Sequence, residues 1–190
     1  MSFNLICIIG NIGCGKTTAA QILKINYDYE EITFAEPVKQ IGLILDFEYN
    51  ELYGTQEDKL KINNFWGVSG REFMQKFATD IMRNELPKHI DMKMDGKTIW
   101  VKLCEKKILN MLEKNKKIIV SDGRFPDEIE MIKNLGGKII KIEREINYNI
   151  NHDSEKYINS IIPDVSINNN GSIEELTKNI DLIINKIYND

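Results

Sequence analysis

Residues 5–17 read Leu5-Ile6-Cys7-Ile8-Ile9-Gly10-Asn11-Ile12-Gly13-Cys14-Gly15-Lys16-Thr17. The first five are apolar and mostly β-branched, which is typical of a strand buried on both faces of a parallel sheet. The next eight fit the pattern G-x-x-x-x-G-K-[ST] in full, and the residues from Thr17 to about Ile25 predict a helix. A buried strand, a glycine-rich turn and a helix in this order predict a phosphate-binding loop.

The residue types of this loop suit a nucleoside triphosphate. Glycines let the backbone curl so that successive N–H groups converge on phosphate oxygens, and the positive end of the following helix faces the same place. Lys16 would bring a full charge to the β- and γ-phosphates, and the Thr17 hydroxyl would bind Mg²⁺. We therefore expect ATP and Mg²⁺ as cofactors. The predicted ATP-binding residues are Asn11, Ile12, Gly13, Cys14, Gly15, Lys16, Thr17 and Thr18.

Further short apolar runs alternate with helical patterns along the chain. The predicted strands are Ile32-Thr33-Phe34, Ile118-Ile119-Val120, Ile139-Ile140-Lys141-Ile142 and Val165-Ser166-Ile167. This alternation predicts an α/β fold, in which helices cover both faces of a parallel sheet. Among the helices, the one over Arg71–Asn84 is expected to turn Met74, Phe77 and Ile81 toward the core.

Composition limits the function classes. The chain has 190 residues, with 25 Lys and Arg against 29 Asp and Glu, so a basic surface for a nucleic-acid polymer is not expected. The odd number of cysteines, three, argues against a disulfide framework. No apolar run is long enough to cross a membrane, and no leader pattern begins the chain. These features predict a cytoplasmic protein.

Ligands of parallel α/β sheets bind beyond the carboxyl ends of the strands, so the residues that follow each strand are candidates for the site. Asp122 is placed as a carboxylate on the Mg²⁺ side, and the adjacent Arg124 could clamp a transferring phosphate. Glu36 could bind a sugar hydroxyl, and Lys39 follows the same strand. Arg144 follows a later strand and precedes a long polar segment that could act as a lid.

A second group of candidates lies between the strands. Arg71 and Gln75 are one helical turn apart, so they share a polar face that could contact the molecule that accepts the phosphate. The arginines Arg71, Arg83, Arg124 and Arg144 favour an anionic acceptor. Phe65, Trp66 and Trp100 could stack on a base, although aromatic residues more often fill cores.

Besides the glycine-rich loop, the chain contains the strings Phe34-Ala35-Glu36-Pro37-Val38-Lys39, Tyr53-Gly54-Thr55-Gln56, Gly70-Arg71-Glu72-Phe73-Met74-Gln75, Ser121-Asp122-Gly123-Arg124-Phe125-Pro126-Asp127-Glu128, Leu135-Gly136-Gly137, His152-Asp153-Ser154-Glu155 and Asn169-Asn170-Gly171-Ser172. Together with the loop, these strings resemble the deoxynucleoside monophosphate kinases of bacteriophages and large DNA viruses. They occur in the family's order and span nearly the whole chain. The family often has Asp in place of Glu36 and Val in place of Gly123, and glycine is expected to loosen the turn that aims Arg124.

The resemblance implies transfer of the γ-phosphate of ATP to a deoxynucleoside 5′-monophosphate. It implies one P-loop kinase domain with a core (1–35, 115–142 and 163–190), an acceptor-binding helical region (36–114) and a lid (143–162). The implied catalytic residues are Lys16, Asp122, Arg124 and Arg144, with Thr17 and Asp122 at Mg²⁺, the latter partly through water. Together with the candidates found from the residues themselves, the predicted substrate-binding residues are Glu36, Lys39, Arg71, Gln75, Arg83, Trp100 and Arg124. A homodimer is compatible with the fold by analogy, and a viral enzyme would work in the host-cell cytoplasm.

Three other functions share part of this pattern. Deoxynucleoside kinases have a similar loop and a similar Glu36-Pro37-Val38 string, but normally carry Glu-Arg-Ser where this chain has Asp122-Gly123-Arg124-Phe125. The animal form of phosphomevalonate kinase is similar in the loop and the Asp-x-Arg region. A nucleotide-binding switch without transferase activity is the third alternative, and ADP production that depends on an acceptor would exclude it.

Overall fold

The structure is a computed structural model and describes residues 4–145 and 157–189. It divides into two compact units. The first contains Met1–Thr33 and Leu103–Asp190, and the second contains Phe34–Lys102. We call them the sheet unit and the helical unit, and each is described by itself. Within the described residues no helix has the length and apolar character needed to cross a membrane.

The sheet unit is built on the strands β1 (Leu5–Ile9), β2 (Tyr29–Ile32), β3 (Lys117–Val120), β4 (Lys138–Glu143) and β5 (Val165–Asn168), and its helices are α1 (Lys16–Tyr27), α8 (Pro126–Asn134) and α9 (Ile173–Asn189). The five strands are parallel, and their order is β2-β3-β1-β4-β5. The predicted parallel sheet is confirmed. Because all strands point the same way, the loops after β1, β3 and β4 lie at one edge of the sheet.

The central strand β1 sends alternate side chains to the two faces of the sheet. Ile6 and Ile8 belong to a buried cluster that includes residues of α1 and α9. On the opposite face, the methyl group of an alanine at 123 would meet Cys7 and Ile9, and also Ile129 of α8. All five residues of β1 are buried. The apolar run of β1 is continuous because helices cover both faces of the strand.

The helical unit consists of shorter elements. They are α2 (Glu36–Ile44), α3 (Tyr49–Tyr53), α4 (Gln56–Leu60), α5 (Gly70–Gln75), a π-helix (Lys76–Glu85) and α6 (Leu86–His89). Helix α7 (Ile99–Leu112) begins in this unit and continues into the sheet unit. Phe47, Phe73 and Phe77 stack in sequence, with ring centroids 4.7 and 5.3 Å apart.

Two local predictions were wrong. Strand β2 is Tyr29–Ile32 rather than residues 32–34, because Asp28 ends α1 in a left-handed conformation (φ 61°) and the chain enters the strand directly. The helix predicted over residues 71–84 widens into the π-helix from Lys76 onward, which changes the direction of the side chains that follow. Ile81 is consequently half exposed instead of facing the core.

Candidate active site

The phosphate-binding loop joins β1 to α1 in the predicted geometry. Gly10 (φ 147°) and Gly15 (φ 104°) have backbone conformations that side chains disfavour. A methyl group at Gly10 would also lie 2.4 Å from the carbonyl oxygen of Ile142, and one at Gly15 would lie 2.3 Å from the amide nitrogen of Asn169. Both glycines of the pattern are therefore required by backbone shape and by space.

Lys16 is the first residue of α1, and its side chain folds over the loop. Its ammonium group donates hydrogen bonds to the carbonyl oxygens of Gly10 (2.6 Å) and Asn11 (2.7 Å). Asn11 and Thr17 have exposed side chains, whereas Cys14 is buried. The loop thus presents a full positive charge, a hydroxyl group and a helix N-terminus on one side, which suits a polyphosphate.

The second candidate segment follows β3. Register pairs Cys7 of β1 with Val120 of β3, so Asp122 and the phosphate-binding loop lie at the same edge of neighbouring strands. Asp122 is partly buried, and the hydroxyl of Ser121 donates to the carboxylate of Glu31 at the end of β2. The Asp122 carboxylate and the Thr17 hydroxyl are hard oxygen donors of the kind that Mg²⁺ prefers.

The described residues offer few protein ligands for a metal. Among the described residues, no group of three or more His, Cys, Asp or Glu side chains could hold a metal ion. Magnesium in kinases is usually held by one or two protein oxygens, with phosphates and water completing its coordination. Thr17 and Asp122 supply two oxygen donors, which fits Mg²⁺ held partly by phosphates and water. Two donors do not fit a metal that is held by protein ligands alone.

The turn that carries Arg124 is tightly packed, contrary to the loosening expected from Gly123. Gly123 is buried, and a methyl group there would lie 2.6 Å from the Cys7 sulfur and 3.3 Å from a methyl carbon of Ile129. The Cys7 thiol fills the space that a larger residue at 123 would need. Burial, followed by the negative charges of Asp122 and Glu128, raises the pKa of Cys7 well above its ordinary value, so the thiol stays protonated.

Arg144 follows β4 and is exposed. The described part of the predicted lid comprises residues 143–145 and 157–162, and the string His152-Asp153-Ser154-Glu155 lies outside the described residues. Tyr157 packs near Phe125, with ring centroids 5.8 Å apart. Because β4 runs parallel to β1, Arg144 lies at the same edge of the sheet as the phosphate-binding loop.

The helical unit brings Glu36, Lys39 and Tyr53 together. The Tyr53 hydroxyl donates to the Glu36 carboxylate at 2.9 Å, and the Lys39 ammonium lies 4.6 Å from the centre of the Tyr53 ring. Gln40 also donates to Glu36, at 3.2 Å. Burial, followed by the Glu36 carboxylate, raises the pKa of Tyr53 to about 12. Tyr53 was not a sequence candidate, although its string was part of the resemblance.

Arg71 and Gln75 lie on α5, and both are partly buried. The Arg71 guanidinium donates to the side-chain oxygen of Gln56, the first residue of α4. Thr55 caps α4, and the carboxylate of Asp58 accepts from the Thr55 main-chain N–H at 3.1 Å. The cap of α4 therefore positions Gln56, a partner of Arg71 that was not singled out from the sequence. Arg83, another candidate in the helical unit, is partly buried in the π-helix.

Trp100 differs from its predicted role. The side chain is 5% exposed, and its indole N–H donates to the carbonyl oxygen of Ala78 at 2.8 Å. Trp100 therefore packs the helical unit and does not offer a face to a base, which corrects the prediction. Phe65 and Trp66 remain exposed, at 79% and 46%.

Two residues distant in sequence support the candidate site. The buried Asn169, just after β5, donates its side-chain amide to the carbonyl oxygen of Cys14 at 2.8 Å. The buried Glu128 accepts from the main-chain N–H of Arg124 at 2.8 Å. Glu128 had a sequence signal, because an acidic residue at the third position of a helix often caps its N-terminus.

Comparisons with known proteins identify relatives along most of the chain. Residues 44–180 match the family model described as deoxynucleotide monophosphate kinase. A protein of Acanthamoeba polyphaga mimivirus, whose name gives it provisionally as a deoxynucleotide monophosphate kinase, is 35% identical over 187 residues, which cover 93% of each chain.

Two solved structures of similar fold are named as kinases. Dephospho-CoA kinase from Campylobacter jejuni matches with a TM-score of 0.53 at 18% identity, over 97% of this chain and 96% of that one. Shikimate kinase from Aquifex aeolicus matches with a TM-score of 0.50 at 16% identity, over 96% of this chain and 97% of that one. At these identities the likeness shows the fold alone, which is that of P-loop kinases.

Proposed function

We propose, since the chain belongs to the deoxynucleotide monophosphate kinase family, that it transfers the γ-phosphate of ATP to a deoxynucleoside 5′-monophosphate and releases ADP and a deoxynucleoside diphosphate. The observation that carries the donor half is the loop Gly10–Thr17, with Lys16 folded over it at the N-terminus of α1. Family membership makes the chain a nucleotide kinase, and the acceptor is the finer part of the proposal.

In this mechanism the loop binds and orients the donor. Its main-chain N–H groups and the Lys16 ammonium hold the β- and γ-phosphates, so Lys16 exchanges its carbonyl partners for phosphate oxygens. Thr17 and Asp122 would hold Mg²⁺, Asp122 partly through water, and the bound ion would neutralise phosphate charge. Arg124 and Arg144 stabilise the charge of the transferring phosphoryl group.

The acceptor part of the proposal rests on the helical unit. Arg71, Gln75 and Arg83 bind the monophosphate, which is already anionic and needs cationic clamps rather than a base. Glu36 binds a sugar hydroxyl, and Lys39 contributes positive charge beside it. We assign acceptor binding to residues 36–114 and lid closure to residues 143–162, where exclusion of water would prevent loss of ATP to hydrolysis.

The test is ADP release from ATP and Mg²⁺ with a panel of acceptors. The panel holds the four DNA monophosphates, dUMP, the matching ribonucleotides, deoxynucleosides and phosphomevalonate. The expected result is turnover with one or more deoxynucleoside monophosphates and little without an acceptor. Lys16→Ala should abolish turnover, and Lys106→Ala, an exposed change on α7, should leave it unchanged.

Other outcomes point to the other functions. Turnover only with deoxynucleosides or only with phosphomevalonate would contradict the proposed acceptor and keep the donor site. ATP binding without turnover on any acceptor would favour a nucleotide-binding switch. Acceptor-independent ADP release would contradict a kinase with an efficient lid.

A further inference from the structure

We infer that the turn Asn169-Asn170 is a positioning element, which fixes the phosphate-binding loop through one side chain and the Arg144 segment through the other. The inference rests on the proposed function for the role of Arg144. The hydrogen bonds that carry it all lie within the sheet unit. Neither asparagine contacts the reacting groups in this scheme, because both act through the main chain of other residues.

The first link joins Asn169 to the phosphate-binding loop. In such a loop the N–H groups turn toward phosphate, so the carbonyl groups turn into the protein and need donors. The Asn169 side-chain amide donates to the carbonyl oxygen of Cys14 at 2.8 Å, and this bond is buried. The amide also fills the space beside Gly15, where a methyl group would lie 2.3 Å from its nitrogen. Asn169 therefore restrains both the loop's orientation and its distance from β5.

The second link joins the same turn to the segment that follows β4. The main-chain N–H of Asn169 donates to the carbonyl oxygen of Glu143 at 2.7 Å. The side-chain oxygen of Asn170 accepts from the main-chain N–H of Glu145 at 2.9 Å. These bonds lie on either side of Arg144, so the peptide groups before and after this residue are both held.

The turn itself is shaped by its own residues. The Asn168 side-chain oxygen accepts from the main-chain N–H of Asn170 at 3.0 Å, which closes an Asx turn at the end of β5. Strand β5 pairs with β4 up to Glu143 and Asn168, so the turn begins where the ladder stops. Beyond the sheet, the Asn169 amide holds the phosphate-binding loop and the Asn170 side chain holds the segment that contains Arg144.

The two halves predict different kinetic effects. Asn169→Ala removes the side-chain amide that donates to the buried Cys14 carbonyl, and we expect ATP affinity, measured calorimetrically with Mg²⁺, to fall about tenfold. The KM for the acceptor should change less than twofold. Asn170→Ala should lower kcat about fivefold with ATP affinity unchanged, and it should have no further effect on kcat when Arg144 is already alanine, since both act through one group.

The experiment also includes readouts that do not need turnover. In Asn170→Ala, amide hydrogen exchange of a peptide containing Glu145 should accelerate, because that N–H loses its acceptor. If Asn169→Ala folds poorly, Asn169→Ser serves as a second variant. Its hydroxyl is too short to reach the Cys14 carbonyl, so it should show the same loss of ATP affinity. Asn110→Ala, an exposed change on α7, is the matched control and should leave affinity, kcat and exchange unchanged.

The outcomes separate this inference from the proposed function. A wild-type protein that binds ATP but transfers phosphate to no acceptor would contradict the proposed function alone, and ATP affinity and amide exchange would still decide the role of the turn. Unchanged ATP affinity in both Asn169 variants would overturn the first link. Unchanged exchange at Glu145 in Asn170→Ala, or additive losses of kcat with Arg144→Ala, would overturn the second.

Discussion

Glu128 holds Arg124 by its main chain: the buried carboxylate accepts the Arg124 N–H at 2.8 Å, and the same oxygen accepts the Phe125 N–H at 3.1 Å. Glu128 is the third residue of α8, so its carboxylate also satisfies the start of that helix. The buried Glu128 carboxylate thereby fixes the turn from β3 into α8, which carries Asp122 and Arg124.

Replacing Glu128 tests whether this contact is needed for catalysis as well as for folding. Glu128→Gln weakens the acceptor and places an N–H₂ group close to two donors, and we expect the free energy of unfolding to fall by about 1–3 kcal/mol. We also expect kcat to fall more than ATP affinity. Urea unfolding, calorimetry and steady-state kinetics measure these changes. Glu130→Gln, exposed on the same helix, is the control, and equal effects of the two variants would contradict the assignment.

The side chain of Arg124 is predicted to act in the transition state. Arg124→Ala should lower kcat by at least about 100-fold, the usual scale for a lost charge-stabilising group, while ATP affinity changes little. Single-turnover kinetics at saturating ATP would separate the chemical step from binding. Normal turnover of the variant would remove Arg124 from the mechanism.

The packing of Gly123 against Cys7 predicts a compensating pair. Gly123→Ala should lower the free energy of unfolding by about 1–3 kcal/mol, because its methyl group would overlap the Cys7 sulfur at 2.6 Å. Cys7→Ala removes that sulfur, so the double variant should lose less than the sum of the two single losses. Urea unfolding of all four proteins tests this. Additive losses would show that the sulfur does not limit residue 123.

The sheet could be predicted from sequence where local pattern and burial agree. Strands β1, β3 and β4 are largely buried, so each contains an apolar run that pattern alone identifies. Strand β2 lies at the edge of the sheet and reads Tyr29-Glu30-Glu31-Ile32, with Glu30 exposed, so it lacks such a run. The nearby Phe34 drew the prediction past the strand, although it is buried in the turn before α2.

The site shows the same division between local and distant contacts. The phosphate-binding loop is predictable because its glycines, lysine and threonine all lie within one stretch, Gly10–Thr17. Asn169 is 155 residues from the Cys14 carbonyl that it contacts, and no spacing rule connects them. The burial of Trp100 depends on the π-helix that supplies its carbonyl partner, and widening of a helix has no clear sequence signal here.

The structural role found for Trp100 gives a further prediction. Trp100→Phe keeps most of the aromatic volume but removes the indole donor to the Ala78 carbonyl, and we expect a loss of about 1–2 kcal/mol in unfolding free energy. The KM for the acceptor should change less than twofold, because a side chain that is 5% exposed does not reach a base. Trp66→Phe also loses an indole hydrogen bond, to Leu45, but at an exposed position, and should cost less. A large rise in acceptor KM for Trp100→Phe alone would restore the base-stacking role.

The hydrogen bond from Tyr53 to Glu36 predicts a dependence of stability on alkaline pH. In the folded protein the pKa of Tyr53 is raised from 10.0 to about 12, first by burial and then by the carboxylate of Glu36. A raised pKa means that the folded state favours the protonated phenol, so the stabilisation is complete below pH 10 and is lost as the pH rises through 12. The stability of the wild type relative to Tyr53→Phe should therefore fall between pH 10 and pH 12.

Two measurements check this expectation. The difference in phenolate absorbance between the wild type and Tyr53→Phe should titrate with a midpoint near pH 12, and urea unfolding at several pH values should give the matching loss of stability. Tyr49→Phe is the control, because Tyr49 stacks on the Tyr53 ring but is 62% exposed. If Glu36 binds the acceptor sugar, Tyr53→Phe should also raise the acceptor KM at neutral pH, since Glu36 then keeps only Gln40 of its two described donors. A difference titration centred at pH 10 would show that the hydroxyl is not held against Glu36.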